Sequence, residues 1–203
     1  MTAGDELKKI KAELRDRGWL MEADSKLPSV VTLVVGHPVK GSWWGHEKGN
    51  LIFNTCGMLD DEKDVLCLKL INGKRTYLHR KYWNPVLNLV YTHRSVTVDT
   101  LSVGAKKILA LVSKNKSLRS DDPSIKRNYA KMKPFIREIE KELFCYSQSV
   151  HTESGFHATE LLSWEAILQQ RHFKMSKLEE DSLVEMMAQF TRGIHERIKF
   201  PWG

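Results

Sequence analysis

One layout is used twice in this chain, about 80 residues apart, and it constrains the fold more than any other feature. Residues 65–83, VLCLKLINGKRTYLHRKYW, and 143–164, LFCYSQSVHTESGFHATELLSW, each read as strand, turn, strand and then a tryptophan that opens an apolar segment. Each follows a stretch with helical spacing. In the first, Val65 to Ile71 and Lys74 to Arg80 flank Asn72-Gly73, a pair that accepts positive φ at both central positions of a type I′ turn.

The flanking segments read as helices. Leu7, Ile10 and Leu14 lie at i, i+3 and i+7, with Gly18 as the stop. LPSVVTLVV, between Pro28-Ser29 and Gly36, has the punctuation of a short helix despite its β-branched content. Leu51, Ile52, Cys56 and Leu59 predict a third helix, closed by Asp60, Asp61 and Glu62. Lys81 to Val90 predicts a short helix interrupted at Asn84-Pro85, and THRSVTVDT at 92–100 has no period and reads as a linker. Leu101, Ile108, Leu109 and Val112 begin a second set, followed by a turn at Asp121-Asp122-Pro123-Ser124. A longer helix, disturbed by Pro134, then runs to about Glu142 with Met132, Phe135, Ile136, Ile139 and Leu143 inward. Trp164 to Gln170 predicts another helix. The last has a capping box, Ser176 to Glu179, ahead of Leu183, Met186, Met187, Phe190 and Ile194. Helices feeding a two-stranded hairpin make a winged helix. The expected fold is therefore α+β and mostly helical, with two tandem winged-helix modules at 1–91 and 92–203, the second carrying the C-terminal helix.

At 203 residues the chain has room for two small cores. Its 41% hydrophobic and 28% charged residues are those of an ordinary globular protein, and no window nears the roughly 20 apolar residues of a membrane span. The first residues, MTAGDELKKIKAELRDRG, are charged and lack the apolar run of a signal peptide, so a cytoplasmic location without a membrane partner is expected. Cys56, Cys67 and Cys145 are odd in number, far apart and set among apolar residues, as buried thiols would be. Charge is concentrated: from Lys106 to Arg137 ten basic residues face only Asp121 and Asp122, a local +8 that exceeds the +7 of the whole chain. Such a stripe is the footprint of phosphate contacts, the plain alternative being a solvated lysine-rich face. Lys126, Arg127, Lys131 and Lys133 are its nominated contacts, joined by Lys74, Arg75 and Arg80 on the first hairpin.

Two clusters could carry chemistry. In SWWGHEK, Trp43 and Trp44 could stack on an extruded base while His46 bonds a phosphate or the base edge, unless one or both indoles anchor a loop in the core; Trp44 and His46 are the preferred candidates, and Lys48 is nominated as a further nucleic-acid contact. At the second hairpin tip, Glu153 lies between His151 and His157. A carboxylate flanked by imidazoles can act as a general base on water, although the same residues also make an ordinary polar turn. His151 and His157 lack a third metal ligand nearby, so no metal is expected. No glycine-rich phosphate loop, GxSxG elbow or paired-aspartate cluster occurs, which argues against a nucleotide cofactor, a nucleotide hydrolase and an ordinary esterase. No cofactor is expected.

The segments GSWWGHEKGNLIFN, DVLCLKLINGKRTYLHRKYW and SQSVHTESGFHATELLSW resemble small bacterial proteins related to the AlkZ-like DNA glycosylases. Those glycosylases are tandem winged-helix proteins that remove damaged or crosslinked bases. The likeness spans most of residues 28–168 in motif order and implies the fold and DNA as partner. It stops short of the catalytic signature, Gln-x-Gln or Gln-x-Asp: Gln148-Ser149-Val150 lacks the second polar residue, and Gln169-Gln170 has the wrong spacing. The expected function is DNA binding at damaged or distorted sites, with base excision as an extension. A non-catalytic regulator or protein-interaction adaptor is the alternative, and the C-terminal helix could support a homo-oligomer.

Overall fold

Thr2 opens the first helix with a reciprocal cap: its hydroxyl accepts the Asp5 N–H at 3.3 Å, and the Asp5 carboxylate accepts the Thr2 N–H at 3.1 Å. In the computed structural model, which describes residues 2–151 and 157–203, this helix is α1 (Ala3–Arg17). It buries Leu7, Ile10 and Leu14 and stops at Gly18, whose φ is +93°. A Cβ at position 18 would also meet the Tyr82 ring at 2.1 Å, so both backbone and space call for glycine there.

Strand β1 (Trp19–Met21), helix α2 (Val30–Val35), helix α3 (Gly49–Asp60) and the hairpin β2 (Val65–Ile71) with β3 (Lys74–His79) follow. After α4 (Trp83–Thr97) the same order returns as α5 (Val103–Asn115), β4 (Ser117–Arg119), α6 (Pro123–Lys126), α7 (Tyr129–Lys141), β5 (Tyr146–His151) and β6 (His157–Leu162). Helices α8 (Trp164–Gln170) and α9 (Glu180–Phe190) come last. Both sheets are antiparallel with the return strand of the hairpin in the middle, in the orders β1-β3-β2 and β4-β6-β5. The protein is thus a predominantly helical α+β chain with two small antiparallel hairpins. Among the described residues no helix is long and apolar enough to cross a membrane.

Where the structure departs from the sequence expectations, local physics explains the difference. The segment at 92–100 is helical: α4 continues to Thr97 and a 3-10 turn covers Val98–Thr100. Pro85 does not interrupt α4, because it falls in the first turn, where a backbone N–H has no helical partner to lose. Pro134 lies inside α7, and the break between helices falls instead at residues 127–128. Ser176 does not cap α9. Its N–H donates to Asn84 Oδ1 at 2.9 Å and its hydroxyl accepts from Asn84 Nδ2 at 2.9 Å, while the helix starts after Glu179 without a side-chain cap. α9 ends at Phe190, so Ile194 lies beyond it.

By their internal contacts residues 1–88 and 175–200 form one compact unit, and 89–174 with 201–203 form another; residue 91, the expected boundary, falls within α4. The first core joins Ile10 and Leu14 to Val30, Val31, Val34, Ile52, Leu59, Val65 and Tyr77. Phe190 is buried in this unit against Trp19 and Tyr82, and the Trp19 indole N–H donates to its carbonyl at 2.9 Å. The second core gathers Ala105, Ile108, Val112, Ile136, Ile139, Phe144 and Leu161.

Candidate nucleic-acid interface

In the second unit the apolar side of α7, with Ile136 and Ile139, faces the core, and Lys131 and Lys133, on either edge of that stripe, and Arg137 are exposed. Lys126 and Arg127, at the end of α6, are exposed as well. The Lys133 ammonium lies 5.6 Å from the Tyr129 ring one turn earlier. Of the two carboxylates in the stripe, Asp121 is engaged by Arg119 at 3.0 and 2.9 Å; hydrogen bonding to that guanidinium holds its carboxyl below the usual range. The four nominated cations are thus all exposed, Lys126 at the end of α6, Arg127 in the break after it, and Lys131 and Lys133 in α7.

The first hairpin is different. Lys74 is paired with Asp24 at 2.8 Å, and Arg75 reaches Glu22 at 2.6 Å and both oxygens of Asp60 at 3.0 and 2.8 Å. The Asn72 N–H donates to the Lys199 carbonyl at 2.8 Å, and Asn72 Oδ1 accepts the Lys199 N–H at 2.9 Å. Arg80 stacks over the Trp83 ring at 5.2 Å. Lys48 sends its ammonium to the carbonyls of Val34 and Val35, at 3.0 and 3.4 Å, and so caps the C-terminus of α2. Lys48, Lys74 and Arg75, nominated as nucleic-acid contacts, are thus already held by groups of their own unit.

Behind Arg75 lies a polar knot that no local pattern announced. Burial pushes the Glu22 and Asp60 carboxyls up, with Arg75 opposing the shift. The same burial pushes the Cys56 thiol up to about 12 and raises Cys67 and Tyr77. These two thiols are poor nucleophiles at neutral pH.

The double tryptophan divides its roles. Trp43 is 7% exposed and joins the first core, whereas Trp44 is 66% exposed. The two rings stack with centroids 4.4 Å apart and 18° between planes, and Phe53 on α3 lies 5.7 Å from Trp44. His46 is half-buried; its Nδ1 accepts the Lys48 N–H at 3.1 Å, and its own backbone N–H donates to the Trp43 carbonyl at 3.0 Å. The exposed side of α3 carries Asn50, Phe53, Asn54, Gly57 and Met58, residues the sequence reading did not single out. Their i, i+3, i+4, i+7, i+8 spacing was the available signal.

At the second hairpin, Glu153 lies outside the described residues. His151 and His157 are opposed in the β5–β6 register, and the exposed His157 has its Nδ1 3.1 Å from Ser149 Oγ. No protein-family model, curated protein or solved structure matches this chain.

Proposed function

We propose that the chain is a tandem winged-helix protein that binds DNA through the exposed cations of α6 and α7. The observation that carries this reading is the repeated order of helix, strand, two helices and hairpin, with a basic outer face on the second copy of the helix that precedes the hairpin. In winged-helix proteins that helix enters a groove and the hairpin meets the neighbouring backbone. Lys126, Arg127, Lys131 and Lys133 would meet phosphates, which fix register without reading sequence. The first hairpin enters this reading as scaffold, since Lys74 and Arg75 are held by carboxylates. Action on damaged or distorted sites, with base excision, is an extension that rests on Glu153, His151 and His157.

Replacing Lys126, Arg127, Lys131 and Lys133 together with alanine is expected to weaken binding to all duplexes alike and to flatten the slope of log affinity against log salt by about one for each phosphate no longer neutralised. A titration from low to physiological salt reads both. An unchanged slope would return the stripe to a solvated face and favour the adaptor reading, in which an apolar protein interface responds little to salt.

A further inference from the structure

We infer that Trp44, with Phe53 and the amides of Asn50 and Asn54, forms a stacking platform for one unpaired nucleobase. This deepens the DNA-binding reading and rests on it, by giving the first unit a ligand of its own: a base outside the helical stack, in a mismatch, bulge or single strand.

The geometry is that of a held platform and not of a stray surface residue. One face of the Trp44 indole is covered by Trp43 at 4.4 Å, and Trp43 is itself buried, so the 66% exposure of Trp44 belongs to the opposite face and the rim. The turn that carries it is tied at both ends: the Trp44 N–H donates to Ser42 Oγ at 3.3 Å, and the Gly49 N–H donates to the His46 carbonyl at 2.7 Å. A Cβ at Gly49 would lie 3.1 Å from the Trp44 carbonyl oxygen, so glycine permits α3 to begin this close to the backbone of the tryptophan turn. The Lys48 ammonium fastens the same segment to α2. An indole fixed in this way loses little freedom when a base stacks on it.

Phe53, 41% exposed and 5.7 Å from the Trp44 ring, extends the apolar surface of the indole. Two features select a base as the occupant. Asn50 and Asn54 stand one turn apart on the same helix side as Phe53, and an asparagine amide can donate to and accept from a base edge together. From Gly36 to Met58, the stretch that carries the ring, the chain has a single carboxylate, Glu47, against Lys40 and Lys48, a local +1, and the acidic residues Asp60, Asp61, Glu62 and Asp64 come only after it. Stacking on indole tolerates any base, because every base has a π-face.

The test uses the whole chain and two 2-aminopurine probes, one with the fluorescent base in a single-nucleotide bulge and one with it paired in a matched duplex. The wild type is expected to bind the bulged probe more tightly and to quench its emission. Trp44→Ala should weaken bulge binding about 5- to 150-fold and abolish the quench, with matched-duplex affinity and melting temperature kept; Trp44→Phe should retain most of both signals. The alanine variant of Lys126, Arg127, Lys131 and Lys133 should weaken both probes equally. Wild-type binding without preference for the bulge, or a preference that survives in Trp44→Ala, overturns the platform while leaving DNA binding intact. So does a concentration-dependent dimer in sedimentation that Trp44→Ala dissolves, since a second copy would then be the occupant. Absence of binding to either probe overturns the DNA reading itself.

Discussion

Removing the Arg75 guanidinium would leave the half-buried carboxylates of Glu22 and Asp60 without their countercharge. Breaking a fully buried pair costs about 3–5 kcal/mol, but the Arg75 side chain is 40% exposed and water screens it, so Arg75→Ala is expected to lower unfolding free energy by about 1–3 kcal/mol. Denaturant titration measures it. The same knot has a pH signature. Because burial raises the Glu22 and Asp60 carboxyls above their unfolded values, the folded state keeps protons that the unfolded chain has released. The stability this contributes is complete below the unfolded values and is lost as pH rises through the folded ones. Asp60→Asn should therefore flatten the loss of stability as pH rises above about 4, the unfolded carboxylate value, read from urea midpoints. A steeper loss in the variant would show that the Arg75 charge dominates burial. At this scale the sequence made the paired tryptophans conspicuous and favoured Trp44 for function, and the fold leaves Trp44 exposed while Trp43 is buried in the first core. Likewise Lys74 and Arg75 read as free wing cations because their partners Asp24, Glu22 and Asp60 lie 15 or more residues away, beyond any local pattern.

Among elements, the packing of α5 on α7 depends on a missing side chain. A Cβ at Gly104 would come within 2.6 Å of the Phe135 ring, so Gly104→Ala should cost about 1–3 kcal/mol by overpacking, and Phe135→Leu in the same chain should recover part of it. Thermal melts of the single and double variants give the coupling; simple additivity would mean that the ring moves aside freely. The first hairpin turn has Asn72 at φ +54° and Gly73 at φ +66°, as the Asn-Gly pair predicts. Elements with period, cap and stop residues were legible in the sequence, including α1, α3 and the first hairpin. The edge strands β1 and β4 were not, because three residues carry no readable alternation and they exist only as partners for the open edges of β3 and β6. The stretch at 92–100 read as a linker because it has no period, yet α4 runs through it to Thr97 with most side chains of the stretch exposed, so no apolar stripe was there to be read.

At the scale of the whole molecule, two units share one order of elements yet present different surfaces on the helix before the hairpin. α7 is basic outside, whereas α3 offers aromatic, thioether and amide groups. Chemistry at the second hairpin tip is open to one measurement: incubation with a panel of lesion-bearing duplexes followed by alkali. Alkali-labile sites with the wild type, and about 10²-fold slower single-turnover excision by Glu153→Gln at unchanged lesion binding, are expected of a general base at that position. Equal rates would make the tip a polar turn. The sequence alone determined the duplicated layout, the hairpins and the concentration of charge, because each of these is written in neighbouring residues as alternation, helical spacing or composition. Only the tertiary structure decided which charges stay available to a partner, that residues 175–200 close on the first unit, and which face of α3 is left open. Those outcomes depend on burial and on pairing between residues far apart in the chain, and both are settled only when the elements pack.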